Sequence, residues 1–125
     1  MEIPVTYDGQ DLTEVAQLTG LSESEVIELH SSTIFNAAFA GFAPGFMYCT
    51  GLPKVLQLPR RATPRTSVPA GSLAMADAYT AIYPLNSPGG WNLIGTTDIK
   101  MFDAEANQPS FLLPGDRVRF VPVSK

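Results

Sequence analysis

Ten glycines and eleven prolines in 125 residues hold this chain to short elements joined by shaped turns. Their joint share, about 17%, compares with roughly 12% in average usage. Most of them fall after residue 40. Proline inside a helix removes a hydrogen bond and clashes with the preceding turn, so long helices are excluded there. Short strands separated by Gly/Pro corners suggest a β-barrel or sandwich. Strands are predicted at residues 3–7, 34–42, 45–48, 72–76, 79–83, 91–94 and 117–123, with APG, PRRATPR, VPAGS, YPLNSPGGW and LPGD between the later ones. In the last strand Val118, Phe120 and Val121 are expected to pack while Arg117 and Arg119 alternate outward. AEANQPS, residues 104–110, is expected to be a polar surface loop. A 45% hydrophobic share is enough for one packed core, and the length predicts a single domain over 1–125.

The first thirty residues differ from the rest. They hold seven carboxylates and no Lys or Arg, whereas the remainder holds five acids and all eight bases. The net charge of −4 therefore combines an acidic head with a mildly basic body. DLTEVAQLTGLSESEVIELH reads as two short helices. Asp11 can cap the first, Leu12, Val15, Ala16 and Leu18 fall on roughly one face, and Gly20 suits the left-handed C-terminal position. Ser22 and Glu25 have the spacing of a capping box for the second helix, with Val26, Ile27 and Leu29 on its apolar side. VAQLTGLS also resembles the turn of a helix-turn-helix reader. Its second helix would bring Glu23, Glu25 and Glu28 to phosphates without a cation, so nucleic acid is excluded as a partner.

One Cys and one His leave no disulfide framework and no metal-ligand cluster. No leader and no apolar run of membrane-spanning length is visible, so the cytoplasm is the expected compartment and no membrane is expected as a partner. Three segments could carry chemistry. LPRRATPRTSVPAGS sets Arg60, Arg61 and Arg65 on a backbone stiffened by prolines, a receptor for carboxylate or phosphate. The alternative is that these arginines pair with the acidic head. FAGFAPGFMYCTGLP alternates glycines with Phe39, Phe42, Phe46 and Tyr48, either as an apolar ligand wall or as a barrel corner. YPLNSPGGWNLIG offers the amides around Ser87, Gly89 and Gly90, or a tight turn that buries Trp91; no Lys follows as in a P-loop. His30, at the end of the second helix, is either a general base or a helix C-terminal cation. Cys49, among aromatics and without an adjacent base, reads as a small buried residue.

GFAPGFMY, LPRRATPRTSVPAGS and IYPLNSPGGWNLIGTT, in this order and followed by LLPGDRVRF, resemble the KipI family, also called allophanate hydrolase subunit 1 and the 5-oxoprolinase B-type subunit. The resemblance covers nearly the whole chain and implies a mainly-β, cyclophilin-like barrel with two short helices near its N-terminus. Members usually carry a further small α/β domain before this point; it is absent from these residues. By resemblance the chain is the B-type component of an ATP-dependent 5-oxoprolinase that opens the 5-oxoproline lactam to L-glutamate. Its partners would be a C-type component (KipI-antagonist or allophanate hydrolase subunit 2 type) and an A-type component (LamB/YcsF type). The cofactor of the assembled complex would be ATP, with no metal held by this chain, and the isolated chain is expected to be inactive. The alternatives are a regulatory module that inhibits a sensor histidine kinase and an amide-binding component of an allophanate hydrolase or urea carboxylase system.

Carried over residue by residue, the resemblance implies a site made from Phe42, Pro44, Gly45, Phe46 and Tyr48, from Arg60, Arg61 and Arg65, and from Tyr83, Ser87, Gly89 and Gly90. His30 would be the catalytic candidate near its rim. Where relatives usually read IAGxQTGIYP this chain reads MADAYTAIYP, with Asp77, Tyr79 and Ala81 replacing Gly, Gln and Gly. Tyr79 is therefore included as a substrate-binding candidate that retains one hydroxyl where an amide is lost.

Overall fold

A computed structural model describes residues 1–124. In chain order the elements are β1 (Glu2–Val5), α1 (Leu12–Thr19), α2 (Glu23–Ser32), β2 (Phe35–Ala40), β3 (Met47–Thr50), a 3-10 turn (Lys54–Leu56), β4 (Arg65–Val68), β5 (Ser72–Ala76), β6 (Tyr79–Ile82), β7 (Ser87–Gly89), β8 (Asn92–Thr96) and β9 (Arg117–Pro122). Seven strands form one sheet in the order β1-β9-β2-β3-β6-β5-β8. β1 and β9 run parallel and their neighbours antiparallel. Just beyond β1, Thr6 exchanges two 2.8 Å backbone hydrogen bonds with Thr96 of β8. Each edge strand thereby satisfies the other, and the sheet closes into a barrel.

The two helices form as their end signals direct. Gly20 takes φ 75° and ends α1, and Ser22 and Glu25 exchange both capping-box bonds at the start of α2. Two details differ from expectation. Asp11 precedes α1 but makes no capping bond, because its carboxylate is used elsewhere. Leu18 is 62% exposed: six residues after Leu12 it has turned well away from the buried stripe of Leu12, Val15 and Ala16. In α2 the buried pair is Val26 and His30, one turn apart, with Ile27 and Leu29 only partly covered.

Side-chain size alternates along β5. Leu73 and Met75 point into the barrel with Ile3, Val5, Phe35, Ile82, Ile94 and Phe120. Ala74 and Ala76 point outward with Ala81 of β6, beneath Phe46, Tyr83 and Trp91. All five β5 residues are buried because both faces are covered. The small side chains on the outer face leave depth for rings, and the outer cover includes the two-stranded β4–β7 sheet. Both strands of that sheet lie in segments read from sequence as loops. β2 is shorter than predicted, with Ile34 exposed before it. A bulge between Ala37 and Phe39 shifts its register on β3, so Phe39 stacks outside on Tyr48, ring centroids 4.6 Å apart.

Candidate functional site

The outer face of the barrel carries a cleft of about 280 Å³ where the three segments singled out in the sequence converge. The turn after β2 supplies Phe42 and Phe46, and β3 supplies Tyr48. The segment before β4 supplies Arg60, Arg61 and Pro64. Tyr83 and Pro88 through Trp91, from the end of β7 into the connection to β8, complete the lining. Phe46 sits edge-on to Tyr83 and Trp91 at 5.3 and 5.4 Å, and Tyr48 to Trp91 at 5.5 Å. Phe42 stands above this floor with φ 69° and 63% exposure. A bulky side chain in the left-handed region is strained, and such strain clusters at ligand sites.

The arginine edge is held by more than its prolines. Leu58 O accepts from the Asp77 amide at 2.8 Å, Pro59 O from Asn92 Nδ2 at 3.2 Å, and Arg61 N donates to Gly90 O at 2.7 Å. Gly89 allows the closest approach on the opposite side: a Cβ there would lie 2.0 Å from the Tyr83 hydroxyl. Burial raises the Tyr83 pKa, partly offset by a hydrogen bond from the Trp91 backbone.

The remaining sequence candidates lie outside this lining. Arg65 donates Nη1 and Nη2 to the two oxygens of Asp11 at 2.8 and 2.7 Å. That carboxylate, with its side chain only 4% exposed, also accepts from Leu93 N at 2.7 Å and lies 3.0 Å from Arg61 Nη1. Burial pushes the Asp11 pKa up, but the Arg65 and Leu93 hydrogen bonds and the two arginine charges outweigh it, so the net shift is downward. Tyr79 packs on Tyr48 and Phe39 at 5.3 and 5.7 Å. Pro44 and Gly45 form the turn behind Phe46, with Gly45 at φ 86°. Ser87 pairs with Val68, and its buried hydroxyl is without a partner among the described residues.

His30 is not at the rim. It is fully buried against Phe35 and Phe120, ring centroids 5.0 and 5.1 Å away. Thr80 gives its one hydroxyl proton to Ala74 O at 2.9 Å, so its oxygen must accept from His30 Nε2 at 3.1 Å, and Nδ1 then accepts the Tyr7 hydroxyl at 2.7 Å. The ring is a neutral, fully bonded core histidine, and burial lowers its pKa to about 3. Neither role considered from the sequence, rim base or helix-end cation, is compatible with that position. Cys49 is buried, as expected, and its thiol is pushed up to about 12. Among the described residues no group of His, Cys, Asp and Glu could hold a metal, and no helix is long and apolar enough to cross a membrane.

Pro88 and Trp91, motif positions in the resemblance, line the cleft, whereas Pro64 was not singled out and Asp11 was given only a capping role. The signal for Asp11 was the acid-rich head facing an arginine-rich body. The lining of the cleft, edged by Arg60 and Arg61, includes no lysine of the P-loop kind.

The barrel bears an outward cleft with an aromatic floor and an arginine edge, the concave, mostly apolar form that small-molecule sites take. Residues 1–112 match the family described as "Carboxyltransferase domain, subdomain C and D". The chain is 52% identical to the 5-oxoprolinase B-type subunit of Escherichia coli O157:H7 over 125 residues, covering 98% of this chain and 57% of that protein. It is 44% identical to the 5-oxoprolinase B-type subunit of Bacillus subtilis, covering all of this chain and 53% of that protein. The crystal structure of a conserved uncharacterized protein from Pyrococcus horikoshii superposes with a TM-score of 0.95 at 44% identity, covering all of this chain and 59% of that one. This chain belongs to the carboxyltransferase subdomain C and D family, among the relatives of the 5-oxoprolinase B-type subunit. It spans little more than half the length of those curated relatives.

Proposed function

We propose that this chain is the barrel portion of a 5-oxoprolinase B-type subunit and that its cleft binds 5-oxoproline. The five-membered lactam suits a cleft of about 280 Å³. Its ring would lie on Phe46, Tyr48 and Trp91, with its carboxylate at the Arg60–Arg61 edge, where guanidinium groups favour a carboxylate. The observation that carries the reading is the convergence of the arginine segment, the aromatic turn and the Pro88–Trp91 connection on one cleft. ATP would be handled by the rest of the assembly, with A-type and C-type partners completing the lactam hydrolase.

The test is to combine the chain with its A-type and C-type partners and follow ATP-dependent release of glutamate from 5-oxoproline. Release is expected from the complete mixture. It should fall at least tenfold with Arg60→Ala and be absent when the chain is assayed alone. A complete mixture that releases nothing would overturn the reading in favour of the regulatory module. That second reading has an observation of its own, since Phe39 and Phe42 are 45% and 63% exposed beside the cleft.

A further inference from the structure

The three arginines of the 60–65 segment differ in what they already hold. Arg65 has committed its fork to Asp11, with both terminal nitrogens bonded at 2.8 and 2.7 Å. Arg61 borders the cleft, but its Nη1 lies 3.0 Å from Asp11 and 2.9 and 3.3 Å from the two oxygens of Glu14. Two guanidinium groups thus face two carboxylates, and the group of four is neutral. Arg60 stands outside it. Its nearest acid is Asp77, at 3.9 Å, and both side chains are 58% exposed. An ion pair so long and so wet is weak and readily exchanged. The Arg60 guanidinium carbon lies 6.0 Å from the Trp91 ring centroid, which keeps the charge above the aromatic floor.

We propose that Arg60 alone reads the charge of the ligand, so that the cleft selects a small monocarboxylate over a neutral amide and over a dicarboxylate. Asp11 and Glu14 are positioning residues in this arrangement: they hold Arg61 in place and cancel a charge that would otherwise face the ligand. The inference rests on the reading of the cleft as a ligand site and specifies which side chain gives it selectivity. Removing the Glu14 charge would leave Arg61 partly unmatched beside Arg60 and create a place for a second carboxylate. Glu14 is exposed, so this can be tested without disturbing the buried Asp11.

Trp91 is the only tryptophan and lines the cleft, so its fluorescence reports binding directly. Four probes are titrated into the chain: 5-oxoproline, 2-pyrrolidinone (the same ring without the carboxylate), butyrate and glutarate. Wild type is expected to bind 5-oxoproline at least tenfold tighter than 2-pyrrolidinone, and butyrate tighter than glutarate. Arg60→Met should bring the first ratio to within twofold, whereas Arg61→Met should keep it, whatever it does to affinity. Glu14→Gln should strengthen glutarate at least fivefold relative to butyrate.

The inference is overturned if Arg60→Met retains the tenfold ratio, if Arg61→Met abolishes it, or if Glu14→Gln leaves glutarate unimproved. It is also overturned if no carboxylate among the probes perturbs Trp91. Should 5-oxoproline have no effect while butyrate is preferred to glutarate and loses that preference in Arg60→Met, charge selection stands and the lactam reading falls.

Discussion

His30 meets four segments at once: Tyr7 beyond β1, Thr80 of β6, and the Phe35 and Phe120 rings of β2 and β9. Its proton inventory makes it a source of acid sensitivity. In the folded chain the ring stays neutral down to about pH 3, whereas the unfolded chain takes up a proton near 6.5. Below 6.5 the unfolded state therefore binds more protons, and stability is lost as pH falls, on the order of 1.4 kcal/mol per pH unit for one proton. Asp11, whose pKa is lowered, loses its contribution in the same direction but only below the usual carboxylate value of 3.8. Urea midpoints measured between pH 6.5 and 4.5 should therefore fall in wild type and lie nearly flat in His30→Gln. Equal slopes in the two proteins would show that His30 is not the group responsible. The sequence presented His30 as the lone ionisable ring near neutrality, and chemistry was a natural reading. The partners that exclude it are fifty positions away at Thr80 and twenty-three at Tyr7.

At the scale of elements, the turn from Gly41 to Phe46 separates what serves the fold from what serves the cleft. The turn closes on itself through Phe46 N to Ala43 O at 3.0 Å and Gly41 N to Phe46 O at 3.1 Å. Phe46 is buried in the outer cluster, but Phe42 holds a left-handed backbone with its ring largely in solvent. A non-glycine residue in that conformation costs roughly 1–2 kcal/mol, and an exposed ring recovers little by burial. Phe42→Gly should leave the unfolding free energy in urea within about 1 kcal/mol of wild type, because relief of strain offsets the added freedom of the unfolded chain. The same substitution should weaken ligand quenching of Trp91 severalfold. A loss of more than about 2 kcal/mol would instead make the Phe42 ring a structural support. The elements legible in sequence were those whose signals are local: the Gly20 stop, the Ser22 capping box, the strand-like run at 72–76 and the alternation within 117–123. β4 and β7 were not legible, because a three-residue strand opposite a four-residue one is defined by its partner and carries almost no periodicity of its own.

For the whole molecule, turn chemistry repeated along the chain indicated a barrel or a sandwich and the family resemblance favoured the barrel, whereas the contacts that close it are not local. Asp11 reaches Leu93 across 82 positions and Arg65 across 54, which is why a residue with the spacing of a helix cap is instead the clasp between α1, β4 and β8. The seam depends on Gly95 in the same way. A Cβ at Gly95 would lie 2.5 Å from Thr6 O and 3.3 Å from Tyr7 Cα, both backbone atoms that cannot rotate aside. The two edge strands come within hydrogen-bonding distance only because this position has no side chain. Gly95→Ala should push them apart, break the paired 2.8 Å bonds between Thr6 and Thr96, and destabilise the barrel by about 1–3 kcal/mol, the range for forced overpacking. Hydrogen exchange distinguishes this from a general loss of stability. The Thr6 and Thr96 amides should exchange far faster in the variant, while Cys49 and Thr80, paired in the middle of the sheet, should slow or quicken only with the global midpoint. If Thr6 and Thr96 remain as protected as Cys49 in Gly95→Ala, closure at this seam is not what completes the barrel, and its stability must come from the core and the Asp11 clasp.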